Sequence, residues 1–127
     1  MFELGNSDNA KIQISKLSYS SEDWFEYSVK VNTGSFVASI NAFMQTSDFV
    51  AFRTQLIRLN KTLKGEAILL PREEQFTLKL KGNGMGQIEV SGEAFEVASY
   101  GNCLKFEFGL DQTYLAECID SLDSILE

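Results

Sequence analysis

Apolar and polar residues alternate along most of this chain, and twice the spacing changes to that of a helix. Phe25, Tyr27, Val29 and Val31 are separated by Glu26, Ser28 and Lys30, which predicts a half-buried strand over Trp24–Asn32. Lys11–Tyr19 has the same period, with Ile12 and Ile14 on one face and a one-residue slip before Leu17 and Tyr19, the mark of a bulge. Ser20-Ser21-Glu22-Asp23 reads as a polar turn between these two strands. Asn32-Thr33-Gly34 is a hairpin loop into Ser35–Met44, where Phe36, Ala38, Ile40, Ala42 and Met44 share a face. The three strands are expected to form an antiparallel meander.

The period then becomes helical. Phe49, Phe52, Leu56, Leu59 and Leu63 fall at steps of three, four, three and four, one stripe of a helix. Thr46 or Ser47 is the expected N-cap, Asp48 suits the first turn, and Gly65 is the expected left-handed stop. A short strand Glu66–Leu70 ends at Pro71, which suggests an edge or corner. After the charged loop Arg72-Glu73-Glu74, Gln75–Lys81 turns Phe76, Leu78 and Leu80 inward. Gly82-Asn83-Gly84-Met85-Gly86 is the turn into Gln87–Ala94, where Ile88, Val90, Gly92 and Ala94 share a face. Phe95–Asn102 closes in a Tyr100-Gly101-Asn102 turn, and Cys103–Leu110 turns Leu104, Phe106, Phe108 and Leu110 inward. Past Asp111-Gln112-Thr113, Leu115, Ile119, Leu122 and Leu126, with Cys118 and Ile125 beside them, predict a final helix. The fold class is α+β. About seven antiparallel strands, in a sandwich or open barrel, carry two packed helices in the order βββ-α-ββββ-α, with a weak echo between the halves.

A chain of 127 residues forms one domain, residues 1–127, with enough core to need no metal or disulfide. No apolar run is long enough to span a bilayer and no secretory signal is visible, so the expected address is the cytoplasm. Cys103 and Cys118 are then expected to be free thiols.

Histidine is absent. Ser-His-Asp and Cys-His nucleophile systems, the usual zinc sites and the commonest general base go with it. No catalytic group, metal or cofactor is expected. G-N-G-M-G joins two strands instead of opening a helix, so it is a hairpin loop and no phosphate cradle. The net charge is −7, and it is uneven. Met85 to Glu127 carries nine acids against Lys105 alone, whereas Met1 to Gly84 carries nine acids and ten bases. That balance excludes nucleic acid as a partner and suits a basic protein, although solubility alone could also select it.

Two places are candidates for partner contact. Glu89, Glu93 and Glu107 project from one face of neighbouring strands beside Lys79, Lys81 and Lys105; a symmetric loop sets Lys79 opposite Glu89. The plain account is a solvated ladder of cross-strand ion pairs, the functional one a binding face comprising Glu89, Glu93 and Glu96. The second place is Asp23, Trp24 and Glu26, an aromatic among acids at a strand end, against a core Trp24. Asp111-Gln112-Thr113-Tyr114 reads as a helix cap.

Three segments carry a resemblance: G-E-A at Gly65–Ala67, L-K-L-K-G-N-G-M-G-Q-I-E-V-S-G-E-A at Leu78–Ala94, and L-K-F-E-F-G-L-D-Q-T-Y-L at Leu104–Leu115. The chain resembles the WapI-type immunity proteins, which neutralise toxin domains in bacterial polymorphic and contact-dependent toxin systems. The likeness implies a non-catalytic cytoplasmic protein whose partner is a cognate toxin domain, often a nuclease. It leaves the toxin and the oligomeric state open. The competing readings are a small-ligand carrier on a curved sheet and an interaction module that pairs through a strand edge.

Overall fold

The computed structural model describes residues 1–6, 10–98 and 100–126. Strands β1 (Phe2–Asn6), β2 (Ala10–Ser21), β3 (Trp24–Asn32) and β4 (Val37–Gln45) form an antiparallel sheet in sequence order. Helix α1 (Thr46–Thr62) follows. Strands β5 (Lys64–Leu69), β6 (Phe76–Asn83), β7 (Gln87–Val97) and β8 (Tyr100–Asp111) form a second sheet, again in sequence order, and helix α2 (Tyr114–Leu126) follows it. Each half is thus a four-stranded meander followed by a helix. The α+β class and the two helices are as expected. The first meander has a fourth strand, β1, which the sequence reading missed.

The helices seal two sheet edges. α1 packs against β5 and against α2, and α2 lies along β1. Ser121 of α2 is tied to that strand, its Oγ accepting from Glu3 N at 2.9 Å. One core holds the inner faces of both sheets and both helix stripes: Phe2, Ile14, Tyr27, Phe52, Leu80, Val90 and Leu122 are all within 1% of complete burial. The second helix turns a slightly different stripe inward than expected, Leu115, Cys118, Leu122 and Ile125, with Ile119 and Leu126 at its margin. At the far end the sheets are joined by Gln75. Its buried carboxamide donates to Asn41 O of β4 at 3.0 Å and to Phe95 O and Glu96 O of β7 at 3.2 and 3.1 Å.

Several local expectations are corrected. The N-cap of α1 is Gln45, not Thr46 or Ser47; Gln45 N donates to Asp48 Oδ2 at 3.0 Å, half of a capping box. The helix stops at Leu63, not at Gly65. Leu63 takes the left-handed conformation (φ 62°) while its N–H still reaches Leu59 O at 2.8 Å. Gly84 N donates to Leu63 O at 2.7 Å, a tertiary bond that holds this residue in place. Phe36 precedes β4 and is 65% exposed, so it does not join the inward face. The bulge in β2 is where the slip placed it, between Lys16 and Ser18.

β7 and β8 also run past the predicted turn. They pair out to Val97 and Tyr100, with a register shift between Phe95 and Val97. The Tyr100-Gly101-Asn102 signal belongs to that irregularity: Gly101 has φ 86° and Asn102 Nδ2 donates to Glu96 Oε1. Ser99 lies outside the described residues, as does Glu127 of the acidic tally.

Gly92 is fixed by packing. A Cβ built there would run into Thr77 O and into the Phe106 ring, which stacks on Phe76 at 6.3 Å. Gly92→Ala is expected to lower the melting temperature by about 5 °C or more, because overpacking costs about 1–3 kcal/mol and the obstacle here is partly backbone. Thermal melting followed by circular dichroism checks it. An unchanged midpoint would mean that β6 and β7 yield freely.

Candidate protein-binding surfaces

The outer face of the second sheet follows from strand register. Across β6, β7 and β8 the outward rows are Thr77–Glu93–Lys105, Lys79–Ser91–Glu107 and Lys81–Glu89–Gly109. The expected face is right and the expected pairing is off by two residues: Lys81, not Lys79, stands opposite Glu89. β6 continues to Asn83, so the loop is shorter than the symmetric one. A two-residue shift keeps every side chain on its own face.

The ion pairs on this face are selective. Lys79 Nζ meets Glu66 Oε2 of β5 at 2.7 Å, and Lys105 Nζ meets Glu93 Oε2 at 3.7 Å. The hydrogen bond from Lys79 holds the Glu66 carboxyl below its ordinary pKa and raises that of Lys79. Both residues are exposed, so the pair is screened and adds little to stability. Glu89 and Glu107 have no ion-pair partner among the described residues. Between them the sheet surface is hollow, with a volume of about 500 Å³ bounded by Lys81, Asn83, Gln87, Glu89, Glu107 and Gly109.

Glu96 does not belong to this face. It lines a cleft of about 290 Å³ between the sheets, with Val37 and Ile40 of β4 on one side and Asn102, Cys103 and Leu104 of β8 on the other. The six candidate residues therefore fall on three surfaces: Glu89 and Glu93, Glu96 alone, and the β2–β3 end.

At that end Glu22 and Asp23 both take positive φ, 44° and 68°, the signature of a tight two-residue hairpin turn. Phe25 points inward. Its ring meets Tyr19 edge-on at 5.4 Å and carries Lys16 Nζ 4.5 Å from its centroid. Trp24 points to the outer face of the first sheet, half-buried, so the core reading of Trp24 is replaced. It borders a hollow of about 330 Å³ with Ser20, Ser21, Phe43 and Glu73. Glu26, on the same face, accepts weakly from Asn41 Nδ2 at 3.5 Å. Sequence reasoning missed Phe43, which sits opposite Glu26 and is 40% exposed. Its signal was an aromatic on the polar side of an alternating strand.

The remaining motifs are structural. Asp111 Oδ1 accepts from Thr113 N at 3.0 Å, and this bond keeps its carboxyl below the usual range. Gln112 O then accepts from Leu115 N at 3.0 Å as α2 begins. Both thiols are free; Cys103 is exposed, while burial pushes the pKa of Cys118 up. Among the described residues no group of three or more His, Cys, Asp or Glu is placed to hold a metal ion, and no helix is long and apolar enough to cross a membrane.

A family model for WapI-like immunity proteins matches residues 1–127, the whole chain. The chain belongs to the WapI-like immunity protein family. It is thus a toxin-neutralising immunity protein, and its partner is a cognate toxin protein. The fold has a solved counterpart in a chain of the CdiA-CT/CdiI toxin and immunity complex from Enterobacter cloacae. The two are 10% identical with a TM-score of 0.51, over 89% of this WapI-like chain and 99% of that one. At that identity the likeness is one of fold. No curated protein matches the sequence.

Proposed function

We propose that this WapI-like protein neutralises its toxin in the cytoplasm by stoichiometric binding, without turnover, and that the toxin surface it meets is basic. The observation that carries the reading is the outer face of the second sheet, where two carboxylates, Glu89 and Glu107, have no ion-pair partner among the described residues. A nuclease fits such a face, because a groove that holds nucleic acid is cationic and an acidic protein surface can cover it. The WapI-like family is one of immunity proteins, and the solved counterpart of the fold is a chain of a toxin and immunity complex, which supports a protein partner. The carrier reading loses support, since the inner faces of both sheets are filled by the side chains of one shared core.

The test uses the cognate toxin domain, to be sought in the reading frames that neighbour this gene. Co-expression is expected to protect cells, and the purified proteins are expected to form a 1:1 complex in which toxin activity falls linearly to zero at equivalence. Inactivation of many toxin molecules by one immunity molecule would overturn stoichiometric inhibition and point to an enzyme.

A further inference from the structure

We propose that the hollow over Gly109 receives a cationic side chain of the toxin, an arginine in preference to a lysine. This rests on the immunity reading above and adds a residue-level site to it. Gly109 has no backbone reason to be glycine: its φ is not left-handed, and a Cβ built there would have Ile88 O as its nearest neighbour, 4.0 Å away. Gly92, one strand over, is required by close packing on the inner side. A glycine weakens a strand, and where the fold does not need it, it marks a place that another group approaches closely. Here the missing side chain opens the floor of a hollow of about 500 Å³ on the outermost strand, β8.

The walls set the chemistry. Glu89 stands directly opposite Gly109, and Glu107 lies two residues along β8 on the same face. That diagonal separates the two side-chain roots by about 7–8 Å. A guanidinium lying over Gly109 can direct its forked donors to both carboxylates, which a lysine ammonium, a point charge, does less well. Elsewhere on this face Glu66 and Glu93 are already neutralised by Lys79 and Lys105. The two unpaired carboxylates are the ones that flank the hollow. Lys81 faces Glu89 from β6 and is the internal competitor, so an arriving cation works against its charge.

The test is equilibrium binding to the cognate toxin domain, identified by the protection assay above, with circular dichroism on every variant. Gly109→Leu, which fills the hollow, and Glu89→Gln with Glu107→Gln, which removes its charge, are each expected to weaken Kd by about 30-fold or more, the size of an interface hot spot. Lys81→Gln is expected to leave binding unchanged or tighten it, whereas a purely structural Lys81–Glu89 pair would predict weakening. A double-mutant cycle between the carboxylate variant and single Arg→Ala or Lys→Ala changes in the toxin is expected to find one arginine coupled at least about tenfold. If Gly109→Leu does not fold, Gly109→Ala and the carboxylate variant carry the test. Parental binding that survives both changes within twofold overturns the pocket and leaves the immunity reading standing. Coupling to a residue that is not cationic also overturns it. Failure of the parent protein to bind the toxin overturns the immunity reading itself.

Discussion

Phe52→Asp is expected to leave this protein unfolded at room temperature. Phe52 is fully buried in α1, and its ring meets Phe2 edge-on at 6.1 Å, so one side chain joins the helix to the first strand. Truncating such a phenylalanine costs about 3–5 kcal/mol, and the aspartate adds a charge with no partner in the core. Against a domain stability of about 5–15 kcal/mol, the two together suffice. Val50→Asp is the control on the same helix: Val50 is 50% exposed, and its replacement is expected to move the melting temperature by only a degree or two. Far-ultraviolet circular dichroism and thermal melting decide it. A Phe52→Asp protein that melts like the parent would show that the stripe of α1 is not the centre of the core.

The stripe was legible because it repeats. Five apolar residues at helical spacing leave one solution, and β3 was equally plain, its predicted bounds Trp24–Asn32 matching the strand. Strand β1 was not legible. It has two core residues, Phe2 and Leu4, and their burial depends on α2, more than a hundred residues away in the chain. Two alternating residues do not announce a strand when the surface that covers them comes from the other end of the sequence. The turn between β7 and β8 failed for another reason. Tyr100-Gly101-Asn102 has turn chemistry, but the positive φ of Gly101 serves an irregularity inside the hairpin, and a glycine signal does not distinguish the two uses.

The candidate surface was legible in parity and not in register. Alternation placed Glu89, Glu93 and Glu107 outward correctly, because a strand has only two faces. Which residues stand opposite one another depends on where the hairpin turns, and three glycines in five residues left that open. Once Lys81 is set opposite Glu89, Gly109 falls in the same row and the hollow appears. In sequence, Gly109 was one more polar-side residue between Phe108 and Leu110. Glu96 was grouped with Glu89 and Glu93 on charge alone, yet an odd and an even position of one strand face opposite ways, and the structure sends Glu96 into the cleft between the sheets.

That separation gives the second large effect. Glu89→Lys with Glu93→Lys is expected to slow association with the toxin domain by about tenfold or more at low salt, with a smaller change in dissociation, because summed charge steers encounter. Glu96→Lys is expected to slow it far less, since its carboxylate accepts from Asn102 and lies off the sheet face. At about 0.15 M salt the screening length is about 8 Å, and the difference between parent and double variant should shrink accordingly. Stopped-flow measurements at two salt concentrations and protection of toxin-expressing cells read the two consequences separately. Reversing Glu93 places a lysine opposite Lys105, so circular dichroism must show that the double variant stays folded. A folded double variant with the parental on-rate and full protection would exclude the outer face of the second sheet. The contact would then pass to the outer face of the first sheet, where Asp23 and Glu26 flank Trp24 and Phe43 lies exposed. In that case Trp24→Ala should act on dissociation instead of encounter, since a half-buried aromatic anchor contributes contact and no charge.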